Sequence, residues 1–478
     1  MEAGVVFAFL YCLSNVSFNS GRSDVEGPKE FLTLDDQDNF VNNDGYKGFD
    51  WDHLQWMWES KHLDVWEPLA WLLKAGVWYF FDLDPRYWLA VQILFHAIGG
   101  TLLFVICRLM FSSLLSEDRQ SAFFGCAFGA TLWTLHPLRA EAVGWISCIS
   151  YNFAVVFVAA SLILYYHYLV AINSTTKVTM YLASLVCFAG GLACKTPTVA
   201  TIFGYLFIDA FTRPQRLLPV KKWIDPRGAV ADKIIFAAVA LGCLYIAAPS
   251  DDPCGNERTA GLCLSVQDRF IRGCWALAFY VRMTVWPEQH MPHYAIEYGK
   301  ELNTNMDFEV ATYIIPSVIV PLLTTVSVLV FLQQLAVLAS RPAQQSTEQT
   351  TSHESTPSPK PFSARFLASA AWIFLVTWSL PAIGIIQHGV LTMGADRYHY
   401  LPAIVIVPIG AGAFERFRRK FSLMSALLGA GSVLVMLVIL TRAASRPWTN
   451  TVALYTNSQR FRATNTGFAL NNFGYWLV

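Results

Sequence analysis

The chain has 478 residues, 54% of them hydrophobic and 14% charged, with 34 basic side chains against 34 acidic ones. Soluble domains carry about 25% charged residues, so a wholly water-exposed surface is excluded, and a formal net charge of zero gives no bias toward nucleic acid or an acidic tail. The alternating segments that build a membrane β-barrel are absent, so the sequence predicts an all-α polytopic membrane protein with about eleven spanning helices.

In chain order, sustained apolar character places the spans at 4–18, 87–111, 120–136, 144–169, 178–194, 197–211, 233–249, 310–335, 366–388, 400–414 and 421–441. The first is short and carries Glu2 in place of a basic flank, so it reads both as a weak signal peptide and as a short anchor. Residues 19–86 form the first loop, whose 20–64 portion holds eleven acidic side chains against four basic ones. Within it, FLTLDDQDNFVNND brings Asp35, Asp36 and Asp38 close together. Next comes WEPLAWLLKAGVWYFF at 66–81, too short to span and interrupted by Lys74, which fits a helix lying among lipid headgroups.

Basic residues orient the bundle, because short loops rich in Lys and Arg stay in the cytosol. The loop after the sixth span contains Arg213, Arg216, Lys221, Lys222, Arg227 and Lys233, and the one before the last span contains Arg416, Arg418, Arg419 and Lys420. The acidic first loop then faces the lumen or periplasm. Residues 250–309 begin and end on that same side, which makes 267–287, with Asp268, Arg269, Arg272 and Arg282, re-entrant or interfacial. Of the ten cysteines most sit singly in apolar runs, but Cys254 and Cys263 flank a polar loop and can form an intrachain disulfide if it faces an oxidising compartment. Residues 340–362 have too few apolar side chains to fold and read as a disordered cytosolic loop.

Ionisable groups at the edge of a membrane domain are costly and therefore point to function. Four clusters fall on the lumenal side. Asp35 and Asp36 can supply a general base, since repulsion and burial raise one of two adjacent carboxyls, or they are an acidic turn. His136, Arg139 and Glu141 in HPLRAEAVGW can hold and orient a phosphate, or cap a helix with an Arg/Glu pair. Lys195 in CKTP binds an anion or snorkels to the surface. In GADRYHYLP, Arg397 offers a two-pronged phosphate fork beside Asp396, Tyr398, His399 and Tyr400, or belongs to an aromatic belt with an Arg/Asp pair. Cations and tandem acids facing one compartment suit sugar transfer from a lipid phosphate. No Cys/His spacing suggests a metal site, and no cofactor is called for.

The ordered segments DDQDNFVNN, WEPLAWLLK, HPLRAEAVGWIS, LACKTP, YVRMTVWPEQHMPHY, GADRYHYLP and RPWTN resemble the C-type glycosyltransferase superfamily. More narrowly, they are similar to the transmembrane and tetratricopeptide-repeat family that includes protein O-mannosyltransferases and bacterial homologues. The resemblance implies a bundle over residues 1–445 in the endoplasmic reticulum, or in the inner membrane of a bacterium, with a lumenal active site. It implies inverting transfer of a sugar, typically mannose, from dolichyl or another polyprenyl phosphate to a Ser or Thr hydroxyl of an acceptor protein. Asp35 or Asp36 would be the catalytic base, and Arg397, Arg139, Lys195 and Arg282 would bind the donor phosphate. His136, Glu141, Asp396, His399 and Trp66 would support them. Residues 446–478 would open a truncated lumenal tetratricopeptide region. The chain departs from the family pattern at residues 65–68, Val-Trp-Glu-Pro where relatives carry an Asn-Trp-His-Pro-like element, and at 148–152, Cys-Ile-Ser-Tyr-Asn where they carry charged residues. Two other classes remain open: a transporter or flippase of a lipid-linked or anionic substrate, which needs midplane charges and duplicated halves, and an inactive membrane scaffold.

Overall fold

The computed structural model describes residues 2–19, 29–115, 119–217, 228–248, 265–288, 290, 294–295, 313–340, 363–385 and 392–460. Cys254, Cys263, nearly all of 340–362 and residues 461–478 lie outside the described residues. The described chain is all-α, apart from one short antiparallel pairing of β1 (Tyr294–Ala295) with β2 (Thr392–Gly394).

The helices run α1 (Glu2–Phe18), α2 (Trp51–Glu59), α3 (Pro68–Phe81), α4 (Pro85–Leu115), α5 (Arg119–Thr134), α6 (Ala140–Gly144), α7 (Ile149–Val170) and α8 (Ser174–Cys194). Then follow α9 (Thr201–Thr212), α10 (Ile234–Ala247), α11 (Val266–Val285), α12 (Ile315–Ala339), α13 (Ala364–Ser379), α14 (Ile406–Lys420), α15 (Leu423–Ser445) and α16 (Thr451–Arg460). Among the described residues five helical stretches are long and apolar enough to cross a membrane: Pro85–Phe111, Ile146–Val170, Ser174–Cys194, Ile315–Ala339 and Leu423–Trp448. Helices Glu2–Phe18 and Ala364–Ser379 are apolar but shorter.

The other expected spans are shorter for identifiable reasons. Segments 197–211 and 400–414 open as 3-10 turns, Thr196–Ala200 and Pro402–Val405, before α9 and α14 begin. Pro197 and Pro402 sit where the first helical turn tolerates a residue with fixed φ and no N–H. Pro137 likewise separates α5 from α6. Sequence reading set 366–388 as one span, whereas α13 stops at Ser379 and a turn at Gly384, with φ of +81°, follows.

Apolar side chains sort the helices. α7 is buried on almost every face, with Phe153, Val155, Val158 and Leu162 all inside. By contrast, α12 and α15 expose Val318, Leu322, Leu329, Leu428, Val435 and Ile439. Large apolar patches of this kind are not kept in water, and this outer layer is compatible with an integral membrane protein. Inside, α5 and α14 approach so closely that a Cβ on Gly129 would come 2.0 Å from the Val407 carbonyl oxygen, so only glycine fits.

Polar groups collect at the two ends of α7. Ser147, just before the helix, and Ser150 in its first turn meet Asp36 and Glu67, whereas Tyr165 meets Asp209 and Asp232. From Ser150 to Tyr165 the helix rises about 23 Å at ~1.5 Å per residue, most of a hydrocarbon core of about 30 Å. α3 departs from expectation: Lys74, read as an interruption at the headgroups, is buried against Glu67 and the Trp71 ring. α11 buries Arg272, Tyr280 and Met283.

Candidate functional site

The connection between α5 and α7 is the hub. After Pro137 a 3-10 turn, Pro137–Arg139, is capped by His136 Nδ1, which accepts from the Leu138 N–H at 3.2 Å. The short α6 follows, then a second 3-10 turn, Ile146–Cys148. Everything from residue 135 to residue 146 is buried. A run of short turns presents backbone N–H and C=O groups sideways, and distant loops dock on them.

The acidic loop docks through Asp36. Its Oδ1 accepts from the Ser147 N–H at 2.9 Å and from the Ser147 hydroxyl, and its Oδ2 accepts from the Leu32 N–H at 2.9 Å. Burial raises this carboxyl to about 6, against the nearby Lys29 charge and these hydrogen bonds, which lower it. Asp35, next in the chain, is exposed. The two acids therefore have different work: Asp36 holds the loop and Asp35 faces outward. Asn39 adds a hydrogen bond to the Ser147 hydroxyl at 3.0 Å.

The fourth expected cluster reaches the same hub. Arg397 donates from its backbone N–H to Glu141 Oε2 at 2.7 Å and from Nη1 to Oε1, and its guanidinium lies 5.2 Å from the Trp145 ring and 4.9 Å from the Tyr398 ring. Burial pushes the Glu141 carboxyl up and the Arg397 charge pulls it back. Arg139, expected to pair with Glu141 or to bind phosphate, does not pair with Glu141, which takes Arg397 instead. It is fully buried, and its Nη1 donates to the His399 and Tyr400 carbonyls at 3.3 and 2.9 Å. Its Nε and Nη2 find no partner among the described residues. Arg139 thus holds the backbone that carries Arg397.

Lys195 is neither snorkelling nor alone. It donates to Glu67 Oε2 at 3.0 Å, while Glu67 Oε1 accepts from Lys74 and from the Ser150 hydroxyl at 2.9 Å. Burial would raise Glu67, but the charges of Lys195 and Lys74 overcome it and hold the carboxyl at about 2. Burial lowers the Lys74 ammonium from its ordinary value, and Glu67 pulls it back up. Lys195 also lies 5.3 Å from the Tyr151 ring, a ring within electrostatic reach of Arg397.

Asp396 is paired with His290 rather than with Arg397: His290 Nδ1 donates to Oδ2 at 2.7 Å, and the Tyr294 hydroxyl donates to Oδ1 at 2.8 Å. His136 and His399 meet at Thr284, through its carbonyl at 2.9 Å and its hydroxyl at 3.0 Å. Arg282 stands apart, half-exposed and paired with Glu288 at 2.7 Å. Trp66 is buried, its indole N–H donating to the Trp58 carbonyl at 2.9 Å.

The fold thus gathers Asp36, Glu141, Lys195 and Arg397 within electrostatic reach of one side chain, Cys148. Sequence reasoning missed Lys29, Glu67, Tyr151 and His290. Glu67 and Lys74 are seven residues apart at the start and middle of one helix, the spacing of two turns on one face, and that signal was available. Nothing local marks Lys29 or His290. Among the described residues no three His, Cys, Asp or Glu side chains converge on a metal-binding geometry. Asp35 is exposed, and the Lys195 and Arg397 side chains are 17% and 13% exposed. Compared with known proteins, the chain matches no family model, no curated protein and no solved structure.

Proposed function

We propose that the chain is a membrane glycosyltransferase of the C type, moving a sugar, mannose in the first instance, from dolichyl or another polyprenyl phosphate to a Ser or Thr hydroxyl of an acceptor protein. The observation that carries this reading is the docking of the tandem-acid loop on the turn that also meets Arg397, with Lys195 close by. In a membrane protein such a pairing of base and cations suits a lipid-borne anionic leaving group. The ordered motif resemblance across the chain points the same way.

Asp35 takes the proton of the acceptor hydroxyl as its oxygen bonds to the anomeric carbon from the face opposite the phosphate. The bond from that carbon to the phosphate oxygen breaks, its electron pair leaves with the lipid phosphate, and the configuration inverts. Arg397 and Lys195 neutralise the charge that develops on the phosphate. Asp36 and Arg139 position the base and Arg397, respectively. On this reading the site faces the lumen of the endoplasmic reticulum, or the periplasm of a bacterium.

Reconstitution with labelled polyprenyl-phosphate sugar and a Ser/Thr-rich acceptor tests it. Transfer by the wild type, lost in Asp35→Asn while donor binding persists, is the expected result. Equal labelling by both proteins would remove Asp35 from the mechanism. Movement of donor across the bilayer without transfer would replace the enzyme with a flippase, and neither activity would leave a scaffold.

A further inference from the structure

Lys29 is buried beside the acidic loop, yet no carboxylate forms a hydrogen bond with it among the described residues. Its ammonium donates to the Gly144 carbonyl at 2.9 Å and to the Trp448 carbonyl at 2.6 Å. Gly144 closes α6, three residues before the Ser147 that binds Asp36, and Trp448 ends the 3-10 turn that follows α15. The Trp448 ring stacks on Trp145, with centroids 5.8 Å apart. Further ties run alongside: the Glu30 N–H donates to the Thr449 carbonyl at 3.1 Å, and the Glu30 carboxylate accepts from the Thr451 N–H, the first of α16, at 2.6 Å. The Thr33 N–H donates to the Thr451 hydroxyl at 3.3 Å. Residues 29–36 are therefore stitched to two places, 144–147 and 448–451, that are remote from them and from each other in sequence.

We propose that Lys29 is a positioning residue that clasps the tandem-acid loop to the segment leading into α16, so that this segment is a working part of the site and not a tether. The geometry explains why a cation stands there. Three ammonium protons reach two carbonyls that approach from different elements, and two such charge-assisted bonds fix the spacing between the loop that carries Asp35 and the helix that begins the C-terminal region. α16 also reaches the other side of the site, since Asn457 donates to the His290 carbonyl at 3.1 Å. Displacement of α16 would thus be felt by the acid loop and by the Asp396 partner together. This rests on the glycosyltransferase reading for its kinetic arm alone.

The test uses the full chain in membranes, as Lys29→Met and Lys29→Arg, with two readouts. In the transfer assay Lys29→Met loses at least about tenfold in kcat at nearly unchanged donor KM, because the donor site is intact and the base is misplaced; Lys29→Arg, which keeps the donors, recovers much of it. In the second readout, cysteines replace Thr33 and Thr451, and their cross-linking yield falls in Lys29→Met. A remote pair replacing Ser161 and Ser184, whose hydroxyls are 3.1 Å apart, stays cross-linked and reports the fold. If both pairs fail in Lys29→Met, Lys29→Gln, which keeps an N–H donor without the charge, takes its place and is held to the same outcomes. Unchanged kcat, or an unchanged yield at the 33/451 pair, overturns the proposal. Absence of transfer in the wild type would sink the function reading, while the cross-links still decide whether Lys29 is the clasp.

Discussion

The two ends of α7 hold ionic clusters built on opposite plans. At the far end Asp209 and Asp232 meet Arg216 and Lys233, each acid touching both bases at 2.5–2.9 Å, with the Tyr165 hydroxyl between them. Every charge there has an opposite charge. At the hub end charges are held largely by dipoles: Asp36 by N–H and hydroxyl groups, Lys29 and Arg139 by carbonyls, and Glu67 is shared by two lysines. A cluster neutralised from within has nothing to offer a ligand. The hub end compensates its charges less completely, although Arg397 there is paired with Glu141, and on the proposed reading that difference is what leaves room for an incoming anion.

The sharpest way to break this comparison is Asp35→Asn against Asp209→Asn. The first is expected to cost about 10²–10⁴-fold in transfer rate, the usual worth of a general base, with melting temperature unchanged. Asp209→Asn should leave turnover per folded molecule as it was while lowering thermal stability, since removing one partner of a buried pair costs about 3–5 kcal/mol. Thermal unfolding in detergent and the transfer assay, run on both, decide it; reversed outcomes would mean the ends have been assigned the wrong way round. A step smaller is Arg397→Lys, which keeps the charge but loses the fork. Donor affinity should fall about 10–100-fold, the range of a lost charge-assisted hydrogen bond, and an unaltered donor KM would take Arg397 off the phosphate.

The smallest effect is a pH dependence. Asp36 sits at about 6 against an ordinary 3.8. A carboxyl raised in the folded state stabilises the fold below its unfolded value, and that contribution disappears as pH climbs through the folded one. Relative to Asp36→Asn, the wild type should therefore lose a few degrees of melting temperature between about pH 4 and about pH 7. Parallel slopes in the two proteins would show that the folded state does not raise the Asp36 carboxyl above its unfolded value.

Much of this was legible beforehand. Apolar runs longer than a bilayer is thick announce α4, α7, α8, α12 and α15 without any knowledge of their neighbours. The expected spans 197–211 and 400–414 ran through Pro197 and Pro402, where the structure has 3-10 turns, as it does at Pro137. The segments that meet at the α5–α7 connection were also marked, because carboxylates and guanidinium groups beside apolar runs are costly.

Pairing is where reading ahead failed. Arg139 and Glu141 are two residues apart and looked like partners, yet Glu141 takes Arg397 and Arg139 takes two carbonyls. Asp396 and Arg397 are adjacent, yet Asp396 takes His290. Neighbours in a turn point different ways, so adjacency says little about contact.

By itself the chain determined its apolar lengths, its breaks and the side chains too polar to be placed at random, since those follow from transfer energies and backbone sterics that act within a few residues. Only the tertiary structure decided that Asp36 is buried while Asp35 is exposed, that Lys195 shares Glu67 with Lys74, and that Lys29 joins both ends of the chain. Each of those outcomes depends on which donor or acceptor a distant segment brings within about 3 Å, and hydrogen bonding falls away so steeply with distance that no property of a single segment can specify it.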